Sequence, residues 1–164
     1  MTTDYESQLH LGGLNGVKQA KRFSVVSLKT VKERSSLYSN RFIRSPEDSY
    51  QCIKSFLECK DREYFIVVTL DTKNQPTSIN ICHIGDLNSS IIHPREVFKT
   101  AVLSNAASIL IAHNHPSGVV DPSRQDQEIT KRLVSAGNII GVQVLDHLII
   151  GDEKYLSFKE QGLI

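Results

Sequence analysis

The sequence contains few cysteines, a single methionine and no tryptophan. Its three cysteines, Cys52, Cys59 and Cys82, are odd in number and lack CxxC spacing, which argues against a disulfide framework and against a cysteine-ligated zinc site. We therefore expect three buried thiols in a reducing compartment. The sequence also lacks a charged start followed by an apolar segment, and it has no apolar run near the roughly 18 residues that a membrane span needs. These absences predict a cytoplasmic protein without membrane contact.

Charge is distributed unevenly along the 164 residues, although the net charge is only +1. Residues 1–44 contain eight Lys or Arg and three Asp or Glu, whereas residues 45–164 contain eleven and fifteen. A basic extension can contact nucleic acid or an acidic partner, but solvated surface lysines explain the same pattern. The length and the 40% hydrophobic content suit one domain with a substantial core. We predict a basic, partly flexible extension over residues 1–39 and one domain over residues 40–164.

Capping and turn residues divide that domain into a regular succession of elements. Ser45-Pro46-Glu47-Asp48 combines a capping residue, a proline in the first turn and two acids, which predicts a helix start. Pro94 and Ser123 predict the starts of two more helices. Apolar, aromatic or β-branched runs predict strands at residues 64–71, 77–85, 108–112 and 143–150, and a weaker pattern predicts an edge strand at 23–28. This order predicts an α/β or α+β domain with a mixed central sheet flanked by helices.

Two histidines at the end of a predicted strand are candidate metal ligands. His113 and His115 are two residues apart, so the alternation of side chains along a strand places both imidazoles on the same side. Pro116 ends the strand, and Asp126 falls in the first turn of the next helix, where its carboxylate can face the pair. Two imidazoles and a carboxylate make three ligands, the number found in catalytic zinc sites. Zinc suits these donors best, although iron, manganese, cobalt and nickel accept the same set.

Each of these residues also has an ordinary structural explanation. An HxH pair at a strand end is commonly a hydrogen-bonded surface pair, and Ser123 followed three residues later by Asp126 is a helix capping box. The tripeptide His113-Asn114-His115 shares its letters with a nuclease motif, but that motif spreads its three residues over a longer ββα unit. The short motifs alone leave metal binding and simple structural roles both open.

The string HNHPSGVVDPSRQD, residues 113–126, fits the pattern HxH, seven residues, Ser, two residues, Asp. This resembles the signature of the JAMM (MPN+) metalloproteases. Three segments narrow the resemblance to the bacterial RadC-like branch of that superfamily, the DNA repair protein RadC family: IHPREVF (92–98), ILIAHNHPSG (109–118) and VLDHLIIG (144–151). The likeness covers about residues 40–164. It implies a RadC-like JAB/MPN domain with the JAMM/MPN, cytidine deaminase-like architecture.

The resemblance also implies roles for individual residues. One zinc ion per chain would be bound by the residues that match the family's ligands, His113, His115 and Asp126. Ser123 would assist at the oxyanion, and a glutamate at the start of a strand would activate the metal-bound water. Glu63 occupies that place, with Glu96 as the alternative and a solvated strand-end carboxylate as the ordinary explanation. Zinc would lower the water's pKa from about 15.7 toward about 7, and Glu63 would pass its proton to the leaving amine.

The implied activity is zinc-dependent hydrolysis of an amide or isopeptide bond in an unknown protein or peptide. Asn114 stands where the eukaryotic deubiquitinases usually have Ser or Thr, and no ubiquitin-recognising insertion is evident, so no ubiquitin substrate is inferred. The alternative is a DNA-associated repair or recombination factor, in which the basic extension binds DNA and the metal site is structural or vestigial. Full-length RadC proteins carry an N-terminal helix-hairpin-helix segment, whereas residues 1–39 show no clear paired-helix pattern.

Asp146 and His147, within the last of the RadC-like segments, have two interpretations. They could support a metal ligand from behind, as outer partners of metal-bound histidines do. They could also be a satisfied polar pair at the edge of the sheet, and the sequence favours this structural role.

Overall fold

From the first helix onward, helices and strands follow one another in the order that the sequence predicts, with one short strand added at the end. The computed structural model describes residues 23–38, 41–85 and 92–164. The helices are α1 (Pro46–Leu57), α2 (Pro94–Leu103) and α3 (Arg124–Ile140). The strands are β1 (Tyr64–Leu70), β2 (Pro76–Ile84), β3 (Ser108–Asn114), β4 (Gln143–Ile150) and β5 (Tyr155–Ser157). Within these ranges no helix is both long and apolar enough to cross a membrane.

The five strands form one mixed sheet in the order β2-β1-β3-β4-β5. β1 pairs antiparallel with β2 and with β3, β3 pairs parallel with β4, and β5 closes the far edge antiparallel to β4. Every residue of the central strand β3 is buried, as its apolar sequence predicts for a strand covered on both faces. The register places His113 between Phe65 of β1 and Ile149 of β4. The end of the central strand is therefore supported from both sides.

Two apolar layers lie on opposite faces of the sheet. One contains Phe65 and Ile111 with the buried faces of α2 and α3, and the other contains Leu110 and Ala112 with α1. Successive residues of β3 alternate between these layers because side chains of a strand alternate between its faces. The α+β fold with a mixed sheet flanked by helices, expected from the sequence, is confirmed.

The helix starts follow the local chemistry of the sequence. Ser45 and Asp48 form a reciprocal capping box at α1, and Pro46 occupies its first turn. Ser123 and Asp126 form the same arrangement at α3. Gly141 ends α3 with a φ of 81°, a left-handed conformation that glycine adopts without steric cost. The position of Asp126 in the first turn of α3 thus follows from the cap at Ser123.

Two expectations from the sequence are wrong. No strand forms at residues 23–28, and the large apolar side chains there are exposed: Phe23, Val25, Val26 and Leu28. The described sheet offers them no partner strand. Cys59 is exposed directly after α1, whereas Cys52 is buried and Cys82 is half-buried. The predicted flexible extension falls largely outside the described residues, which omit residues 1–22 and 39–40.

Candidate metal centre

Three side chains converge where β3 meets the start of α3. His113 Nε2 lies 3.0 Å from His115 Nε2 and 3.2 Å from Asp126 Oδ1, and His115 Nε2 lies 3.7 Å from Asp126 Oδ2. The three candidate ligand atoms all lie within 4.8 Å of one another. His113 and Asp126 are buried, whereas 15% of the His115 side chain is exposed. The cluster therefore has a closed inner side and an opening beside His115.

The loop after β3 orients the His115 ring. The His115 backbone N–H donates to Ile150 O at 2.9 Å, which extends the pairing with β4 past the end of the strand. Gly118 N–H donates back to His115 O, and the Val119 carbonyl lies 2.6 Å from His115 Nδ1. Because the carbonyl can only accept, Nδ1 carries the proton in this contact and Nε2 is directed to the cluster.

Asp126 caps its own helix and also faces the histidines. Its Oδ2 accepts from Ser123 N–H at 2.8 Å and from the Ser123 hydroxyl at 2.6 Å, while its Oδ1 faces His113. The capping box and the ligand position expected from the sequence are therefore compatible. One carboxylate oxygen holds the helix start, and the other faces the position between the imidazoles.

The charges in the cluster stabilise each other. Burial alone would raise the pKa of Asp126, but hydrogen bonds from His113, His115 and Ser123 hold it well below its usual range. The hydrogen bond with Asp126 has the largest effect on the pKa of His115 and raises it above its usual value of 6.5. Partial burial acts in the opposite direction, and the charge of Glu63 adds to the rise. Three atoms with lone pairs converge here, an arrangement that is favourable only with a proton or a cation between them.

A buried chain of hydrogen bonds supports His113 from behind. His113 Nδ1 lies 2.8 Å from His147 Nε2, and His147 Nδ1 lies 2.6 Å from the Thr130 hydroxyl, which donates to Asp126 O at 2.6 Å. Burial holds the pKa of His147 well below its usual value, so this imidazole is neutral. A neutral His147 accepts from His113 Nδ1–H and donates to Thr130, so Nε2 is the His113 nitrogen that faces the other two candidate ligands. His147 therefore contacts a candidate ligand directly, contrary to the purely structural role that the sequence favoured.

The two candidate glutamates lie in different surroundings. Glu63 directly precedes β1 and is close enough to His115 for its charge to act on the imidazole. Glu96 lies on α2, with its carboxylate 2.6 Å from Lys99 Nζ and 3.7 Å from Arg95 Nε. The charge of Glu63 therefore acts on a candidate ligand, whereas the carboxylate of Glu96 interacts with its neighbours on α2.

The sequence profile of the RadC-like JAB domain matches residues 43–163, which include every element described above. The chain belongs to the RadC-like JAB domain family. It is similar to UPF0758 proteins, with 44% identity over 152 residues to one from Geobacillus sp. (strain WCH70), covering 93% of this chain and 67% of that protein. A UPF0758 protein of Bacillus cereus (strain AH187) is 48% identical over 157 residues, covering 94% and 70%.

The chain thus spans about two thirds of the length of these relatives, and their names state no activity. Membership of the RadC-like JAB domain family supports a relation to the JAMM superfamily, as the motif indicated. The donor set of His113, His115 and Asp126 fits a metal ion, because two imidazole nitrogens and a carboxylate oxygen lie within 4.8 Å of one another. Sequence reasoning missed Thr130, although its position four residues after Asp126 places both on one face of α3.

Replacing His147 is expected to weaken metal binding in this RadC-like JAB domain. His147→Leu leaves the His113 Nδ1–H without an acceptor in a buried position, and loss of such an outer partner lowers metal affinity about 10- to 100-fold. Competition with a chromophoric chelator measures the change. Leu145→Ala, on the same strand but half-buried in the opposite layer, is the control and should retain the wild-type affinity. Equal metal affinity in His147→Leu and wild type would show that His147 does not contribute to metal binding.

Metal affinity is also expected to depend on pH through His115. A metal binds the neutral imidazole, so protons compete with it below the raised pKa of His115. Affinity should rise as pH rises through the raised pKa of His115 and level off above it, with proton release on binding. In the metal-free protein the pH dependence of stability has the opposite sign. The charged His115–Asp126 contact stabilises the fold below the pKa that His115 has in the unfolded chain, and this stabilisation is lost as pH rises through the pKa that His115 has in the folded protein. Calorimetry in buffers of different ionisation enthalpy measures the released proton, and its absence would contradict the prediction.

Proposed function

We propose that this chain is a zinc-dependent hydrolase that cleaves an amide or isopeptide bond in a protein or peptide. The observation that carries the proposal is the group of His113, His115 and Asp126, whose ligand atoms lie within 4.8 Å of one another and of which only His115 is partly exposed. Three protein ligands leave a coordination position for catalysis, whereas structural zinc sites are normally closed by four. The opening beside His115 is where a substrate would approach.

In the proposed mechanism the reacting groups come from three parts of the chain. Bound zinc would supply a Lewis acid and lower the pKa of a water from about 15.7 to about 7. Glu63, at the start of β1, takes the proton from the attacking water and transfers it to the leaving amine. Ser123 donates to the developing oxyanion. Its hydroxyl now donates to Asp126 Oδ2 at 2.6 Å, so it has to turn away from Asp126 for this step.

A groove of about 470 Å³ next to His115 supports the proposal that the substrate is a peptide. It runs between the end of α1, the loop after β3 and the turn after β4. Its walls carry charges of both signs, on Lys54, Glu58, Lys60, Asp152 and Glu153, which suits a polar peptide better than an apolar ligand. A larger groove of about 710 Å³ borders Phe42 and Lys159 but includes none of the three candidate ligands. We therefore place the substrate in the smaller groove.

Elemental analysis and a substrate screen test the proposal together. Protein purified without chelators should contain about one zinc per chain. The metal-loaded protein is then screened against peptide and isopeptide libraries, with Glu63→Gln as the matched inactive variant because it keeps the size of the side chain but cannot act as a base. Loss of general base catalysis should reduce turnover about 10²- to 10⁴-fold. A folded protein that neither contains nor takes up metal would refute the proposed hydrolase.

A second candidate function, DNA association through the basic extension, is supported by its charge. Residues 1–44 carry five more basic than acidic side chains, and the described residues 23–38 are exposed. Deletion of residues 1–38 is the appropriate test, because Ile43 is buried in the core and its N–H donates to Asn74 O. DNA affinity that falls steeply with salt and disappears on deletion would support this candidate, and weak salt-independent binding would count against it.

A further inference from the structure

The side chain of Asn114, between the two candidate histidine ligands, binds the backbone on both sides of Glu63. Its Oδ1 accepts from Tyr64 N–H at 2.8 Å, and its Nδ2 donates to Arg62 O at 3.0 Å. Asn114 is only 4% exposed. One carboxamide thus makes two hydrogen bonds to the residues before and after Glu63.

A third hydrogen bond holds the backbone of Glu63 itself. Gly85 N–H donates to Glu63 O at 2.9 Å, which continues the pairing of β1 and β2 one residue past the ends of these strands. The peptide groups around Glu63 are therefore held from β3 on one side and from β2 on the other. Because the backbone restricts which rotamers a side chain can adopt, these bonds limit where the Glu63 carboxylate can lie.

We propose that Asn114 is a positioning residue whose carboxamide holds the backbone around Glu63 and thereby sets the Glu63 carboxylate beside the metal ligands. This inference rests on the proposed function, in which Glu63 is the general base. We call the two hydrogen bonds of the Asn114 carboxamide the clamp. The strand β3 supplies both His113 and Asn114, so one rigid element positions the base and the ligands. A catalytic group displaced by about 1 Å can lose about 10²-fold in rate.

The chemistry of the two contacts explains why a carboxamide is suited to this position. The clamp needs an acceptor for Tyr64 N–H and a donor for Arg62 O on one short side chain. An ionised aspartate has no donor, and a leucine, which has the same heavy-atom branching, has neither group. Asn114→Leu therefore removes both contacts while keeping the number and branching of the side-chain heavy atoms, and Asn114→Ser retains a hydroxyl that can serve one of them.

The test loads the full chain with Co²⁺ alone and follows the pH midpoint of its visible spectrum. Wild type, Glu63→Gln, Asn114→Leu and the double variant are compared. Asn114 is not a ligand, so cobalt affinity should stay within roughly tenfold of wild type. The midpoint should move in the same direction in both single variants and no further in the double variant, since the residues act through one another. Once a substrate is known, Asn114→Leu should lower kcat about 100-fold with little change in KM.

Thr69→Val is the matched structural control. Thr69 lies near the far end of β1, is fully buried, and its hydroxyl bonds to Thr77 and Ser78. Its replacement should lower the free energy of unfolding by about 1 kcal/mol without moving the cobalt midpoint. Where Asn114→Leu fails to fold, Asn114→Ser replaces it.

The outcomes separate this inference from the proposed function. A midpoint moved by Glu63→Gln but not by the folded Asn114 variant would overturn the clamp and leave Glu63 as the base. A midpoint unmoved by Glu63→Gln, or a wild type that binds no cobalt, would refute the proposed function and the clamp with it. A shift in Thr69→Val equal to that in Asn114→Leu would reduce Asn114 to a general structural role.

Discussion

Asp126→Asn is expected to lose the metal and keep the fold, whereas Asp126→Ala is expected to lose the metal and weaken α3 as well. The two oxygens of Asp126 differ in their contacts, because Oδ2 accepts from Ser123 and lies 3.7 Å from His115 Nε2, whereas Oδ1 lies 3.2 Å from His113 Nε2. An asparagine carbonyl can still cap the helix, but its neutral amide is a poor ligand for zinc. Metal content should fall from about one ion per chain toward zero in both variants.

Ser123→Ala separates capping from metal binding in the opposite way. It removes the hydroxyl that accepts from Asp126 N–H and donates to Asp126 Oδ2, and it leaves the three candidate ligands in place. Loss of such a cap costs about 0.5–2 kcal/mol, a cost that Asp126→Ala shares and Asp126→Asn largely avoids. Chemical denaturation of the metal-free proteins and elemental analysis measure the two effects. Full metal content in Asp126→Asn would show that the carboxylate charge is not required.

Gly151→Ala is expected to disturb both the stability of the protein and its metal site. A methyl group at Gly151 would collide with the carbonyl oxygen of Gly118 and lie 2.6 Å from Val120 Cγ1. Gly118 and Val120 flank Val119, whose carbonyl orients the His115 ring. Overpacking of this kind costs about 1–3 kcal/mol, and relief of the collision requires the loop to move. We therefore expect a lower melting temperature together with weaker metal binding.

Gly137→Ala is the matched control for Gly151→Ala. A methyl group there would lie 2.5 Å from Val142 O and 3.1 Å from Phe98 Cζ, in the last turns of α3 and away from its capped start. A similar cost of about 1–3 kcal/mol is expected, with the metal affinity of the folded protein unchanged. Thermal denaturation measures the stability of both variants, and chelator competition measures their metal affinity. Equal losses of affinity in the two would show that the site responds to stability alone.

Local patterns in the sequence predicted the main elements because each has a local cause. The capping residues Ser45 and Ser123 start their helices where expected, and β4 has the predicted bounds. β5 was missed because three residues are too few for a periodic pattern. The false strand at residues 23–28 arose because its apolar residues fit a strand, while strand formation also needs a partner.

The same distinction between local causes and partners that are distant in the chain applies to the candidate site. His113, His115 and Asp126 lie within residues 113–126, so spacing on one strand and one helix start brings them together. The contact of His147 with His113 depends on the pairing of β4 with β3, and the position of Glu63 depends on the pairing of β1 with β3. Strand order cannot be read from sequence alone. The role of Asn114 was invisible for the same reason, since its partners lie about 50 residues earlier in the chain.

The parallel pairing of β3 with β4 has a consequence for biosynthesis. The ligand-bearing segment and the start of α3 leave the ribosome before β4, and domains acquire structure as the chain emerges. Until β4 docks, His147 cannot accept from His113, and a nascent chain that ends within α3 holds the ligands without their outer partner. We expect such a chain to capture metal weakly and exchange it freely. Addition of the last two strands would then mark the point at which the ion becomes kinetically trapped.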